Sequence, residues 1–389
     1  MIRLTPNNGI PRRILLMMAV MAGFTVANLY YNQPLLDMIC RETGVKQVEA
    51  NLITVITQIG YALGLLFVVP LADMVSVRRI VVLGMSVAAV SAVVIGCADS
   101  VWLLWGGSLA LGISSIMPQL FIPMATLYSR PENKTRNMGY VASGLLTGIL
   151  SARAVSGYVG EWWGWRSMFF IVAGLMLVGL LVTLRMMPQV SQSFHGTYRQ
   201  LMSTVGRIFV SQPYSIRPAM SFACMMSIWS CMAFHLAGPP FQAGSDVVGM
   251  LGMFGVVGAI AASGVGKIVP QVGVLRMSVI GGCFQLVAWI TAWLFGESYA
   301  GLIMAIILAD IGAQCLQVSN QSSSLRQLPE ATNRVNTIFM TTFFIGGSLG
   351  TFFSGLGWSI AGWLGVCLVG GFFACASLLL SAYEQFYYH

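Results

Sequence analysis

Long apolar stretches alternate with short polar ones along the chain, and the apolar stretches have the length of bilayer-spanning helices. Twelve of them fall near residues 14–36, 50–71, 80–98, 101–127, 138–160, 167–187, 218–240, 247–266, 275–295, 299–323, 335–356 and 364–383. A helix crossing the hydrocarbon core needs about 20 mostly apolar residues. Its backbone must also satisfy its own hydrogen bonds there, which a helix does. The pattern predicts an all-α membrane protein of twelve transmembrane helices, surrounded by the lipid bilayer and joined by short loops.

Composition agrees. Of 389 residues, 8% are charged and 57% hydrophobic, whereas soluble proteins carry about 25% charged residues. The net charge of +8 does not indicate nucleic acid, because the cations are sorted by side. With the amino terminus inside, sixteen of the twenty Lys and Arg fall in inner segments, Arg12, Arg13, Arg78, Arg79, Arg136, Arg276 and Arg334 among them. Outer segments hold Arg41, Lys46 and Arg166, and Arg153 lies inside a span. Cations resist translocation, so both termini are expected in the cytoplasm. The first helix is expected to stay uncleaved, since no small-x-small site precedes Tyr30. Most cysteines sit mid-span as small apolar groups; Cys40 and Cys97 lie toward the outer face, where a disulfide between them is an open alternative.

The longest polar connection, about residues 188–217, divides the chain into an N-terminal six-helix bundle (1–187) and a C-terminal one (218–389), with a cationic amphipathic linker on the cytoplasmic side. The two parts resemble each other at an offset of 198 residues. Pro131-Glu132-x-x-x-Arg136 recurs as Pro329-Glu330-x-x-x-Arg334, and Gly164-Trp165 as Gly362-Trp363. Gln119 maps to Gln317 and Gly148 to Gly346. Parallel repeats of six spans place a solute site between the halves, near the midplane.

These features resemble the major facilitator superfamily. Its loop between spans two and three usually reads like G-x-L-A-D-R-x-G-R-R, and Leu71-Ala72-Asp73 with Arg78 retains part of it. Ala27-Asn28-Leu29-Tyr30-Tyr31-Asn32-Gln33-Pro34 and Gly164-Trp165-Arg166 are similar to bacterial drug- and metabolite-efflux members. Leu150 to Gly157 replaces the G-P-x-x-G-G-like turn of proton-coupled antiporters, and Ser108 stands where those antiporters often carry Arg. The resemblance implies two pseudo-symmetric bundles, a cavity lined by spans one, four, seven and ten, and a multi-pass protein of the bacterial plasma (inner) membrane. It also implies that Asp73 and Arg78 belong to a cytoplasmic gate; topology control by the arginines is the plainer reading.

Polar groups within spans are costly and tend to mark function: a mid-bilayer charge costs about 2.5–3.5 kcal/mol on insertion scales. Asp310, Gln314, Gln317 and Gln321 fall at i, i+4, i+7 and i+11 on one helix face. A water-filled cleft explains them best; a polar helix–helix seam is the alternative. Arg153 either snorkels to the interface or pairs with Asp310. His235 either relays protons or is a hydrogen-bonded interface histidine. Asn28, Tyr31 and Asn32 are cavity contacts or interfacial groups, and Gln119 sits between Pro118 and Pro123, whose rings free backbone carbonyls.

Gly264-Val265-Gly266-Lys267 lacks both the first Gly and the Ser/Thr of a phosphate loop. Three histidines and no ligand cluster argue against a metal, and no cofactor is expected. The sequence predicts a monomeric secondary transporter, not an enzyme. It would move a small organic solute by alternating access, with protons as coupling ion and outward as the direction. A proton-coupled uptake symporter and a non-transporting membrane receptor or enzyme are the alternatives.

Overall fold

Residues 4–188, 197–211, 216–327 and 332–387 are described by a computed structural model, and every regular element among them is helical. In chain order the α-helices are α1 (Arg12–Ala27), α2 (Leu36–Thr43), α3 (Gln47–Leu63), α4 (Val77–Gly96), α5 (Val101–Ser114), α6 (Met117–Leu127), α7 (Lys134–Trp163) and α8 (Trp165–Met186). There follow α9 (Tyr198–Ser211), α10 (Ile216–Ala237), α11 (Ser245–Gly252), α12 (Val256–Val272), α13 (Val274–Phe295), α14 (Tyr299–Gln327) and α15 (Thr332–Tyr387). His195, Pro329 and Glu330 lie outside the described residues.

Several expected spans are interrupted. The first stops at Ala27, and a turn over 28–32 leads into a 3-10 turn at Gln33–Leu35 before α2. The fourth breaks between α5 and α6, because Pro118 has no N–H for the carbonyl of Ser114 and sits instead in the first turn of a new helix. The eighth runs through a 3-10 turn, Met253–Gly255, between α11 and α12. α15 is continuous but bends at Ala361 and Gly362. Gly164 and Gly362, equivalent in the repeat, have φ of 80° and 55°. That conformation disfavours a side chain, and it lets each chain reverse direction without a loop.

Among the described residues, ten helical runs are long and apolar enough to cross a membrane. The count is lower than twelve for two reasons. α1 has only 16 residues, and the two limbs of α15 form one run of 53 residues.

The interior helices are distinguishable by burial. In α10, 89% of the apolar stretch is buried, so α10 is enclosed by other helices; α8 and α13, at 39%, and α7, at 22%, leave more of theirs uncovered. Peripheral helices turn Leu83, Leu181, Trp293 and Ile360 outward, as lipid permits. Within each half, glycine draws the central helices together. Gly144 and Gly148 of α7 lie on Ala19 and Gly23 of α1; Gly346 and Gly350 of α15 lie on Ala219 and Ala223 of α10. Small residues allow such backbone approach, where packing rather than water expulsion drives association.

The helices before residue 188 meet those after 216 along two seams, α3 with α15 and α7 with α11. At the cation-rich end, α9 lays Met202 and Val205 over Leu66, Leu325, Val335 and Ile338, which bridges the two parts.

Gly148 is the sharpest test of the packing, since an added Cβ would come within 2.6 Å of the Gly23 carbonyl carbon. Gly148→Val is expected to cost at least about 1–3 kcal/mol by overpacking and to reduce monodisperse protein recovered from membranes. Gly139→Val, on the same helix but facing open space, should leave the size-exclusion profile unchanged.

Candidate functional site

Between the two parts of the chain lies a cavity of about 150 Å³. Tyr30 and Tyr61 line it together with Gln119 of α6 and Arg153 of α7. From beyond residue 216 come Phe222 and Met225 of α10, Gly255, Gly258, Met340, Phe343 and Phe344, and Asp310, Gln314 and Gln317 of α14.

Arg153 is 3% exposed and does not snorkel. Its guanidinium lies between two rings, 4.8 Å from the centroid of Tyr30 and 4.2 Å from that of Trp229. Nε donates to Gln33 Oε1 at 2.7 Å. Two desolvated cation–π contacts contribute about 1–2 kcal/mol each, and a hydrogen bond from a charged donor about 1.5–3 kcal/mol. Together they offset a mid-bilayer cost of about 2.5–3.5 kcal/mol, so the cation is held without a carboxylate. Arg153 Nη2 and Gln33 Nε2 are both buried and have no hydrogen-bond partner.

Asp310 faces the same cavity, but the expected ion pair with Arg153 is not made: no salt bridge within 4.0 Å joins them. Glycines make room for the carboxylate: a Cβ at Gly258 would lie 2.8 Å from Asp310 Cβ, and one at Gly255 3.0 Å from Oδ2. Asp310, Gln314 and Gln317 share the cavity face as their spacing predicts, whereas Gln321 donates to Asn336 Oδ1 at 2.7 Å. Asn336 also donates to Gln119 Oε1 at 3.3 Å, and Gln119 to Tyr61 Oη at 3.4 Å, so an amide chain crosses between the two parts of the protein.

The other expected residues fall elsewhere. Asn28 donates to Ser115 Oγ at 3.0 Å; Asn32 donates to Thr57 Oγ1 at 3.3 Å and accepts from Thr54 Oγ1 at 3.2 Å. Both fix the turn after α1 against α3 and the α5–α6 break. Tyr31 is buried and does not line the cavity; its neighbour Tyr30 does, because the helix has ended and the i, i+4 face no longer applies. His235 stacks on Trp363, centroids 4.0 Å apart, and its Nε2 lies 2.8 Å from the Gly296 carbonyl, away from the cavity. Asp73 Oδ2 stands 4.0 Å from Arg334 Nε, across the two parts at the cation-rich end, while Arg78 donates to the Leu184 carbonyl at the end of α8.

The seam between α7 and α11 closes the cation-poor end. Gly249 lies on the Arg153 carbonyl, and Gly252 on its side chain. Farther out, Ser245 Oγ donates to the Gly157 carbonyl at 2.8 Å, and Ser245 N to Glu161 Oε2 at 3.1 Å. Glu161 thus caps the N-terminus of a helix from the other part of the chain, where a carboxylate meets unsatisfied N–H groups and the positive helix end. Beyond the 3-10 turn, α12 leaves α7 and packs on α14. A second cavity of about 340 Å³, lined by Asp37, Arg41, Glu161, Gln242 and Ser245, lies outside this closure.

A family model described as Major Facilitator Superfamily matches residues 15–351. The chain is similar to the putative uncharacterized transporter YgaY of Escherichia coli, 34% identical over 379 residues that cover 96% of each chain. Among solved structures it resembles the nucleoside transporter NupG, with a TM-score of 0.74, 14% identity and coverage of 95% of this chain and 99% of that one. It also resembles the peptide transporter POT in complex with sulfate, with a TM-score of 0.77, 14% identity and coverage of 99% and 96%. At that identity the likeness is one of fold.

The cap on α11 makes Glu161 a latch. Losing an N-terminal cap costs about 1 kcal/mol, which corresponds to about a fivefold change in the closed-to-open ratio. In a protein whose native cysteines are replaced, a cysteine at Met225 should react severalfold faster with an impermeant thiol reagent, added from the cation-poor side, once Glu161→Ala is introduced. Asp73→Ala, which removes the carboxylate beside Arg334 at the opposite end, should slow that reaction if that contact acts as a gate; unchanged rates in both variants would leave neither residue a gating role.

Proposed function

The chain belongs to the major facilitator superfamily and is a membrane transporter, not an enzyme; from the charges of its cavity we propose that it moves a small organic solute by alternating access, coupled to protons that Asp310 binds and releases. The observation that carries this reading is a carboxylate and a guanidinium lining one cavity between the two parts of the chain without an ion pair between them. A permanently paired Asp310 would have little reason to exchange a proton during transport. An unpaired one, among amides, is free to do so as the surroundings change from one face of the membrane to the other.

In this reading α1 and the two limbs of α15 count as spans, which brings the ten long runs to twelve in two pseudo-symmetric bundles, 1–187 and 218–389, joined by the linker 188–217. The cation-rich end is cytoplasmic, with both termini, since Arg and Lys resist translocation. The protein acts as a monomer in the bacterial inner membrane. Gln119, Gln314 and Gln317 offer hydrogen bonds to the solute. Asp73 with Arg334 closes the cytoplasmic end, where Arg78 secures α8, and Glu161 closes the other.

Outward movement by proton exchange is the direction that the resemblance to efflux members supports. Uptake by symport is the second reading, and Arg153 favours it: a fixed cation in the cavity attracts an anion that a proton can accompany.

Proteoliposomes with a trapped pH indicator separate the two. Solute added outside should alkalinise the lumen if protons leave in exchange, and acidify it if they enter together. Asp310→Asn should abolish the pH change while the protein stays folded and monodisperse; a wild-type response in that variant would remove Asp310 from the coupling.

A further inference from the structure

The unfilled donors around Arg153 identify the class of solute. We propose that the solute is a small apolar monocarboxylate, bound as its anion by Arg153, and that the proton bound at Asp310 moves in the same direction with it. The inference rests on the second reading of the cavity, symport, and adds the substrate class that the proton accompanies.

Arginine keeps its charge in proteins. Here Nε is used by Gln33 and the faces of the guanidinium by two rings, while Arg153 Nη2 and Gln33 Nε2 remain buried without acceptors. Of these two side chains Arg153 lines the cavity, and a guanidinium with no acceptor on one Nη matches a planar anion of two oxygens and no hydrogens, which is a carboxylate. Asp310 is not that group, since it lies outside ion-pair distance. A neutral solute would leave the charge unanswered, and an amine would meet repulsion. Most of the remaining wall is apolar, with Leu145, Ile149, Phe222 and Phe343 beside the amides of Gln119, Gln314 and Gln317, and 150 Å³ suits a body of about benzene size.

Charge balance brings in the proton. With Arg153 and Asp310 both ionised the cavity is neutral, and an entering anion would leave one uncompensated negative charge in a medium of low dielectric constant. Protonation of Asp310 by a proton from water restores neutrality. The only other ionisable groups on the cavity are the phenols Tyr30 and Tyr61. Of the elements packed against α14, α12 presents Gly258 and the 3-10 turn Gly255; Arg217 of α10 is with Glu384, His235 is on Trp363, and Arg334 is beside Asp73. Arg276 of α13 and Lys267 of α12 do not line the cavity. Anion and proton therefore bind together, one for one.

The test uses the purified full-length chain with benzoate and cyclohexanecarboxylate, and with benzamide and benzylamine as matched neutral and cationic probes, binding being read from tryptophan fluorescence. The carboxylates should bind and the matched probes should not. Benzoate affinity should weaken about tenfold per pH unit as pH rises through the titration of Asp310, the slope for one proton taken up per anion. Asp310→Asn, a permanent mimic of the protonated acid, should keep binding and lose the slope. Arg153→Gln should lose binding; should that variant not fold, Arg153→Lys, which keeps the charge and loses the planar fork, should weaken it at least tenfold. Benzamide or benzylamine binding as well as benzoate, a flat pH profile in the wild type, or no carboxylate binding would each overturn the proposal. Proton-coupled flux of an amine in proteoliposomes would overturn it too and leave the transporter reading standing. Carboxylate binding without flux would uphold the site and count against that reading.

Discussion

An arginine buried among spans with no carboxylate in reach is the constraint around which the rest of this structure is organised. Lipid offers neither water nor counter-ion, so the guanidinium must be answered by neighbours or by an occupant. Arg153 is answered from both parts of the chain: Tyr30 and Gln33 from before residue 188, Trp229 from beyond 216. The same residue then sets where the helices can approach. α11 reaches α7 through Gly249 and Gly252, which lie on the backbone and side chain of Arg153, and α12 passes Asp310 with Gly258. Any Cβ at those positions would collide with one of the two charged residues. The glycine-rich eighth span, read for itself, suggests only close packing. Beside these two residues it is what lets a cation and a carboxylate share one cavity.

Much of the architecture was legible because lipid leaves so few solutions. Apolar stretch length marked the helices, and the repeated Gly-Trp pair marked two equivalent chain reversals at Gly164 and Gly362. The stripe from Asp310 to Gln317 faces the cavity as helical periodicity requires. Reading failed where the helix itself stopped. Asn28, Tyr31 and Asn32 read as cavity contacts only if the helix continues through them, but α1 ends at Ala27, and the turn that follows brings Tyr30 to the cavity and Gln33 to Arg153.

Other residues were missed because their partners are distant in sequence. Trp229 gives no local sign that it covers Arg153, and Asn336 none that it joins Gln321 to Gln119. Glu161 did carry a signal. It lies eight residues after Arg153, two turns along one helix face, with Gly157 between them. A carboxylate, a glycine and an arginine in line describe a helix built to receive another helix. Neither reading of Arg153 describes its place: it does not snorkel and makes no ion pair with Asp310, because Tyr30 and Trp229 cover its faces and Gln33 takes its Nε–H from inside the protein.

Closure and occupancy are then linked through a single helix face. Glu161, Gly157 and Arg153 all lie on the side of α7 that meets α11. In the alternating-access reading, parting of this seam would carry α10 and α11 away from α7 and Trp229 with them, while Tyr30 and Gln33 belong to the same part of the chain as Arg153. The guanidinium loses one ring face but gains water, and its free N–H is no longer costly. When the seam closes, water is excluded and that same N–H needs an acceptor. An occupant that supplies one therefore favours the closed form more than the open form, and a solute shifts such an equilibrium only by its difference in affinity for the two states. The buried donor left unfilled in the closed arrangement supplies that difference. On the proposed reading, emptying the site would weaken closure without any separate signal, because the residue proposed to hold the solute lies on the helix face that meets α11.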